Sequence, residues 1–171
     1  MANPIRTAVI RLFHPPQPTV PQLTIITEIV NAVRELSQTR LGALLVIETN
    51  APLDEQNFPF PGVKLDALVS CELIQTIFQP KSSLGDGAVL IRGERVVIAN
   101  AILPYSHKTA SRRLGARHRA ALGITEQTEN CLCIAVSGET GSIALAERGI
   151  LNRPLTGKIL RELLIDRLPK P

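Results

Sequence analysis

Apolar residues at Ile25, Ile26, Ile29, Val30, Val33 and Leu36 recur at three- and four-residue intervals, with Glu28, Arg34 and Glu35 opposite. The spacing predicts an amphipathic helix from Gln22 to Gln38. Leu41 to Ile47 is an apolar run interrupted only by Gly42, the pattern of a strand covered on both faces. A helix followed by a doubly buried strand implies α/β layering. A polar, Pro-rich loop spans Glu48 to Gly62, and Leu65 to Phe78 turns helical in its second half before Pro80 to Gly85 reverses the chain. Ala88 to Ile91 and Val96 to Leu103 read as strands joined through the four residues Arg92 to Arg95, Gly93 among them. Lys108 to Gly123 reads as a basic, mostly helical segment and Cys131 to Val136 as a third buried strand. Gly138 and Gly141 flank a turn, Ser142 to Leu145 is a short strand, and Thr156 to Leu168 is a closing helix.

Upstream of the first helix the pattern breaks. Pro4, Pro15, Pro16 and Pro18 surround a short apolar patch from Ala8 to Phe13, and prolines this dense do not sit inside a helix or a central strand. Residues 1–20 are therefore expected to form an arm or linker, and residues 21–171 one domain, which is what a chain of 171 residues has room for. Hydrophobic residues make up 44% of the chain but aromatic ones only 3%, with no Trp, so the core must be aliphatic. The three cysteines, Cys71, Cys131 and Cys133, lack metal-ligand spacing and an even count, and reduced, buried thiols are expected. No apolar stretch reaches the roughly 20 residues that span a bilayer, and no signal-type segment opens the chain. The expectation is a soluble, cytoplasmic chain.

Charge narrows the chemistry. A net charge of +4 and a pI near 9.3 suit an anionic ligand but fall short of what a nucleic-acid-binding protein carries, so no nucleic-acid partner is expected. Arg outnumbers Lys 14 to 5, favouring phosphate recognition through a rigid donor fork over diffuse attraction. Lys108, Arg112, Arg113, Arg117 and Arg119 fall within 12 consecutive residues, with His118 between the last two, and small and apolar residues follow at once. That setting points the cluster at an anion such as a polyphosphate, the other reading being a solvated basic face. Asp86 lies between Gly85 and Gly87 just before a strand, either as a turn aspartate or as a carboxylate open to a metal or hydroxyl.

The two features occur together in a recognisable order: Gly85-Asp86-Gly87-Ala88-Val89, Leu103-Pro104-Tyr105-Ser106, the run from Gly115 through Arg117-His118-Arg119 to Glu126, and Val136-Ser137-Gly138-Glu139-Thr140-Gly141. From about Leu23 to Leu164 the chain resembles the diadenylate cyclase domain family, whose hallmarks are Asp-Gly-Ala and Arg-His-Arg. The resemblance implies a single α/β domain with a central mixed sheet flanked by helices. It also implies condensation of two ATP into cyclic di-AMP and two pyrophosphates, across a face-to-face homodimer or higher oligomer. On that resemblance Asp86, Arg117, His118 and Arg119 are the expected catalytic residues. Gly87, Ala88, Leu103, Gly115, Ala116 and Ser137 join the Arg-His-Arg run in binding ATP, and Asp86 and Glu139 hold Mg2+ or Mn2+. The chain has Gly85, Ala116 and Gly138 where many members carry His, Thr and Glu, and Ile102 where membrane-anchored members often carry an aromatic. A nucleotide-binding sensor on the same fold is the alternative, and because some members are membrane-anchored the resemblance also admits the soluble part of such a protein.

Overall fold

The computed structural model describes residues 20–170. The expected arm of residues 1–20 lies outside them except for Val20, which opens the first helix. Helix α1 spans Val20–Gln38, α2 Cys71–Ile77, α3 Ala116–Gln127 and α4 Gly157–Arg167. The strands are β1 Ala43–Glu48, β2 Val63–Leu68, β3 Ala88–Arg92, β4 Arg95–Ala101, β5 Cys131–Val136, β6 Ile143–Glu147 and β7 Ile150–Leu155. They form one mixed sheet in the order β2-β4-β3-β1-β5-β6-β7, in which β1 and β3 run parallel and every other neighbouring pair is antiparallel. The expected α/β domain with a central mixed sheet is thus borne out.

Alternation along the central strands divides the core in two. Leu45, Ile47, Val89, Ile91, Leu132, Ile134, Ile143 and Leu145 face α1, α2 and α4, meeting Ile26, Ile29, Val33, Leu36, Ile74, Ile77, Leu160 and Leu164. Leu44, Val46, Leu90, Cys131, Cys133, Ala135 and Ala146 face the other way, against Ala120, Ala121 and Ile124 of α3. Burying each Leu, Ile or Val contributes about 1.5–3 kcal/mol, so the first face carries the bulk of the apolar stabilisation. The second is lined largely by Ala and Cys, whose small side chains let α3 lie close over β5 and β6. Cys131 and Cys133 share this face, as their spacing predicts, and all three cysteines are free thiols. Burial pushes the Cys131 thiol up to about 12 and Cys133 well above its usual range, so neither is a nucleophile at neutral pH.

Several boundaries differ from expectation. Arg92 pairs with Arg95, so the hairpin connection is the two residues Gly93 and Glu94, with Gly93 at φ +59. The segment from Lys108 to Gly123 is not one helix: Thr109–Arg113 form a 3-10 turn, the chain is extended at Leu114 and Gly115, and α3 begins at Ala116. β2 and β7 were not expected at all; they are the two edges of the sheet. Two arginines fasten α4 to its neighbours. Arg161 Nη1 donates to Thr27 Oγ1 of α1 at 2.7 Å, and Arg167 Nε donates to Glu147 Oε2 of β6 at 3.0 Å.

Candidate active site

Strand directions gather the chemistry-bearing residues at one end of the sheet. Because β1 and β3 are parallel and β5 is antiparallel to both in sense, the starts of β1 and β3 lie beside the end of β5. Leu45 pairs with Val89 and Ala43 with Val136. Carrying these registers outward aligns Asp86, Gly42 and Ser137 side by side. At about 4.8 Å per strand, Asp86 and Ser137 stand on the order of 10 Å apart, with Gly42 between. The close of β4 joins the same end, since Ala101 pairs with Ala88.

Asp86 is exposed, and its turn is fixed from both sides. A Cβ on Gly85 would lie 2.5 Å from the Ile77 carbonyl oxygen, and one on Gly87 2.4 Å from that of Ala101. The two glycines therefore let the turn pack against the end of α2 and against β4, and the carboxylate stays open. Neither Asp86 nor Glu139, also exposed, has an ion-pair partner among the described residues.

The Arg-His-Arg run divides because successive helical positions point about 100° apart. Arg117 and His118 line a cleft of about 520 Å³ together with Arg113, Gly115, Ala116, Ser137, Gly138, Glu139, Thr140 and Arg153. The Arg117 guanidinium lies directly over Gly42, where an added Cβ would come within 2.3 Å of Nη1. Arg119 leaves the cleft and stacks its guanidinium 4.9 Å from the centre of the Tyr105 ring. Nitrogens of all three residues, Arg117 Nε, His118 Nε2 and Arg119 Nε, are buried without a hydrogen-bond partner among the described residues. Each such orphan costs about 1–3 kcal/mol, and two of the three belong to residues that line the cleft, Arg117 and His118. Of the remaining cations in the window, Lys108 pairs with Glu126 at 3.3 Å, and Arg112 is exposed outside the cleft.

The helix start adds donors. Gly115 at the N-cap has no side-chain oxygen to occupy the first N–H groups of α3, and these open on the cleft. Across it, Ser137 Oγ accepts the N–H groups of Glu139 and Thr140, both at 3.2 Å. That bracing orders the turn while leaving the Ser137 hydroxyl hydrogen to donate. Gly87, Ala88 and Leu103 do not line the cleft; Ala88 and Leu103 are buried in the core beneath α3. The segment after Leu103 is clipped to α3, Ser106 N–H donating to the Arg119 carbonyl at 3.0 Å and Ser106 Oγ to Glu126 Oε1 at 2.8 Å.

The family profile described as DAC, DisA bacterial checkpoint controller nucleotide-binding, matches residues 30–151. The chain belongs to the DAC family. The DAC domain shown here is 41% identical over 140 residues to the protein named cyclic di-AMP synthase CdaA from Bacillus subtilis (strain 168), covering 81% of this chain and 50% of that one. A diadenylate cyclase from Listeria monocytogenes serotype 1/2a (strain 10403S) is 37% identical over 145 residues, 84% of this chain and 52% of that one. The chain thus spans about half the length of these relatives. In structure it is similar to a double mutant of DacA from Staphylococcus aureus, with a TM-score of 0.78 and 36% identity over 84% of this chain and 94% of that one. A hypothetical membrane-spanning protein from Bacillus cereus gives a TM-score of 0.71 and 37% identity over 76% and 63%. Among the described residues of this DAC domain, no helix is long and apolar enough to cross a membrane.

His118 differs electrostatically from its neighbours. It is 6% exposed, and burial, then the charge of Arg153, hold its pKa below the usual 6.5. At neutral pH it enters the cleft as a neutral imidazole, not a third cation. The unfolded chain takes up a proton at this residue near its ordinary pKa while the folded one resists. Stability from this site is therefore whole above pH 6.5 and is lost as the pH falls below it. Unfolding midpoints recorded from about pH 8 to about pH 5 should fall, and His118→Gln should flatten part of that fall. Equal slopes for the two proteins would refute the assignment.

Sequence reasoning did not single out Gly42, Thr140 or Arg153 as parts of this site. Gly42 had a signal, as the one interruption in an apolar strand run. Arg153 had none, because its strand was not foreseen.

Proposed function

We propose that this DAC domain is a diadenylate cyclase, condensing two ATP into cyclic di-AMP with release of two pyrophosphates. The observation that carries the reading is the alignment of an open carboxylate, Asp86, with an arginine-lined cleft one strand away at the same end of the sheet. Arg117, the N–H groups at the start of α3 and the Ser137 hydroxyl are the donors for phosphate oxygens, in a setting where charge stabilisation carries most of the catalysis. Neutral His118 supplies a hydrogen bond from its buried ring without adding repulsion to the arginines.

Cyclisation forms two bonds, each from a ribose 3′-oxygen of one ATP to the α-phosphorus of the other. One cleft of this size holds one ATP, so the product requires two copies of the domain facing each other, related by symmetry. In this reading Asp86 helps deprotonate the hydroxyl, and Arg117 neutralises charge growing on the phosphoryl oxygens. The donor set suits Mg2+ or Mn2+: Asp86 and Glu139 are exposed oxygen donors without ion-pair partners among the described residues. That pattern fits a hard cation shared between one or two carboxylates and substrate phosphates. When bound, the metal would acidify the 3′-hydroxyl and offset phosphate charge.

The deciding measurement is incubation of the purified chain with ATP and Mg2+ or Mn2+, followed by chromatographic separation of products. Cyclic di-AMP and pyrophosphate in a 1:2 ratio are expected, with a rate per chain that rises with protein concentration as copies pair. ATP binding with no cyclic product at concentrations that favour self-association would leave the nucleotide-sensor reading instead.

A further inference from the structure

Arg153 sits on β7, an edge strand, and its side chain is exposed toward the cleft shared by Arg113, Arg117 and His118. Arg92 pairs with Glu48, Arg95 with Asp66 and Arg167 with Glu147, while other arginines such as Arg34, Arg40 and Arg148 stand apart from the cleft without an ion pair among the described residues. Arg113, Arg117 and Arg153 have no such partner among the described residues, and Glu139 is the one carboxylate that lines their cleft. Three unpaired guanidinium groups converging on one concavity repel one another, and an anion with several charges is the ligand that relieves this.

Their order along the sheet gives the cleft a direction. Asp86 precedes β3, Arg117 covers Gly42 before β1, Ser137 follows β5, and Arg153 lies near the end of β7, beyond β6. The site therefore runs from a carboxylate end, through Arg117, to a far end marked by Arg153. Arg153 and His118 line the same cleft, and the charge of Arg153 adds to burial in lowering the His118 pKa.

We propose that Arg153 is a further substrate-binding residue, which holds the β- and γ-phosphates of ATP while Arg117 holds the α-phosphate. This rests on the cyclase reading above. In each half of the reaction the 3′-oxygen bonds to the α-phosphorus as its hydroxyl proton departs. The bond from that phosphorus to the bridging oxygen breaks, and its electron pair stays with the departing pyrophosphate. Arg153 lies where this new charge collects and stabilises the leaving group.

The test compares four probes by calorimetric titration, in buffer containing Mg2+, against wild type and Arg153→Ala: ATP, inorganic tripolyphosphate, AMP and cyclic di-AMP. Loss of a charge-assisted bidentate contact should weaken ATP and tripolyphosphate by about tenfold or more. AMP and cyclic di-AMP, which carry no β- or γ-phosphate, should bind both proteins alike. Arg153→Lys should recover part of the loss, and a thermal melt establishes that each variant is folded. The proposal is overturned if AMP or cyclic di-AMP weakens as much as ATP, or if tripolyphosphate binds the variant as well as wild type or does not bind wild type at all. A wild type that binds tripolyphosphate through Arg153 yet makes no cyclic product would sink the cyclase reading alone; normal cyclisation with no effect at Arg153 would sink only this proposal.

Discussion

Asp86→Asn is expected to lower cyclic di-AMP formation by roughly 10²–10⁴-fold, the range set by removing a positioned group that handles a reacting proton. ATP should still bind within a few-fold of wild type, because the cationic cleft is built by other residues. The substitution is nearly isosteric, and the exposed Asp86 side chain makes no ion pair among the described residues, so the melting temperature should hardly move. What disappears is the negative charge, the only property that lets this side chain hold a divalent cation beside the phosphates or draw off the hydroxyl proton. Product formation is followed under single-turnover conditions so that slow release cannot hide the chemical step. Turnover equal to wild type would remove Asp86 from the mechanism and return it to the role of a turn aspartate.

What the sequence made legible, and what it did not, follows from burial. β1, β3 and β5 are covered on both faces and show as continuous apolar runs, the strongest local signal a strand gives. β2 and β7 are the sheet edges, with side chains mostly exposed or half-exposed, and their sequences carry Lys64, Asp66, Asn152 and Arg153 among the apolar residues. β7 even contains Pro154, which an edge position tolerates because one side of the strand has no ladder to complete. A reading based on apolar continuity thus finds the centre of such a sheet and misses its rims. The break at Leu114 and Gly115 escaped for a related reason: a run of cations and small residues has no apolar period to interrupt, so the change from a 3-10 turn to α3 left no trace.

The site was legible in residue types more than in directions. Arg117 and His118 line the cleft, but Arg119 turns to Tyr105 because the third residue of a helical run cannot face the same way as the first. Ser137 and Glu139 arrive from the far side of the sheet on a turn that the two flanking glycines had marked. Arg153 comes from an unforeseen strand 36 residues after Arg117, and only the strand order brings it to the others.

Gly42 offers the sharpest separation of function from stability in this molecule. An alanine Cβ there would stand 2.3 Å from Arg117 Nη1 and 2.7 Å from Cζ, far inside contact distance, while no other residue lies among its nearest neighbours. The obstructing atoms are the far end of a flexible side chain, so the guanidinium swings aside and the backbone stays where it is. Gly42→Ala should therefore melt within a few degrees of wild type, since a substitution that strains neither core nor backbone costs about 0.5 kcal/mol or less. Its cyclisation rate should nonetheless fall by about 10²-fold, approaching the loss from Arg117→Ala, because displacing a preorganised donor is nearly as damaging as deleting it. The two substitutions act on one contact and should not add: the double variant should be no slower than Arg117→Ala, whereas independent sites would multiply their losses. Full activity in a folded Gly42→Ala protein would mean that Arg117 works from somewhere other than over Gly42, and multiplicative losses in the double variant would show that Gly42 serves the reaction by a separate route.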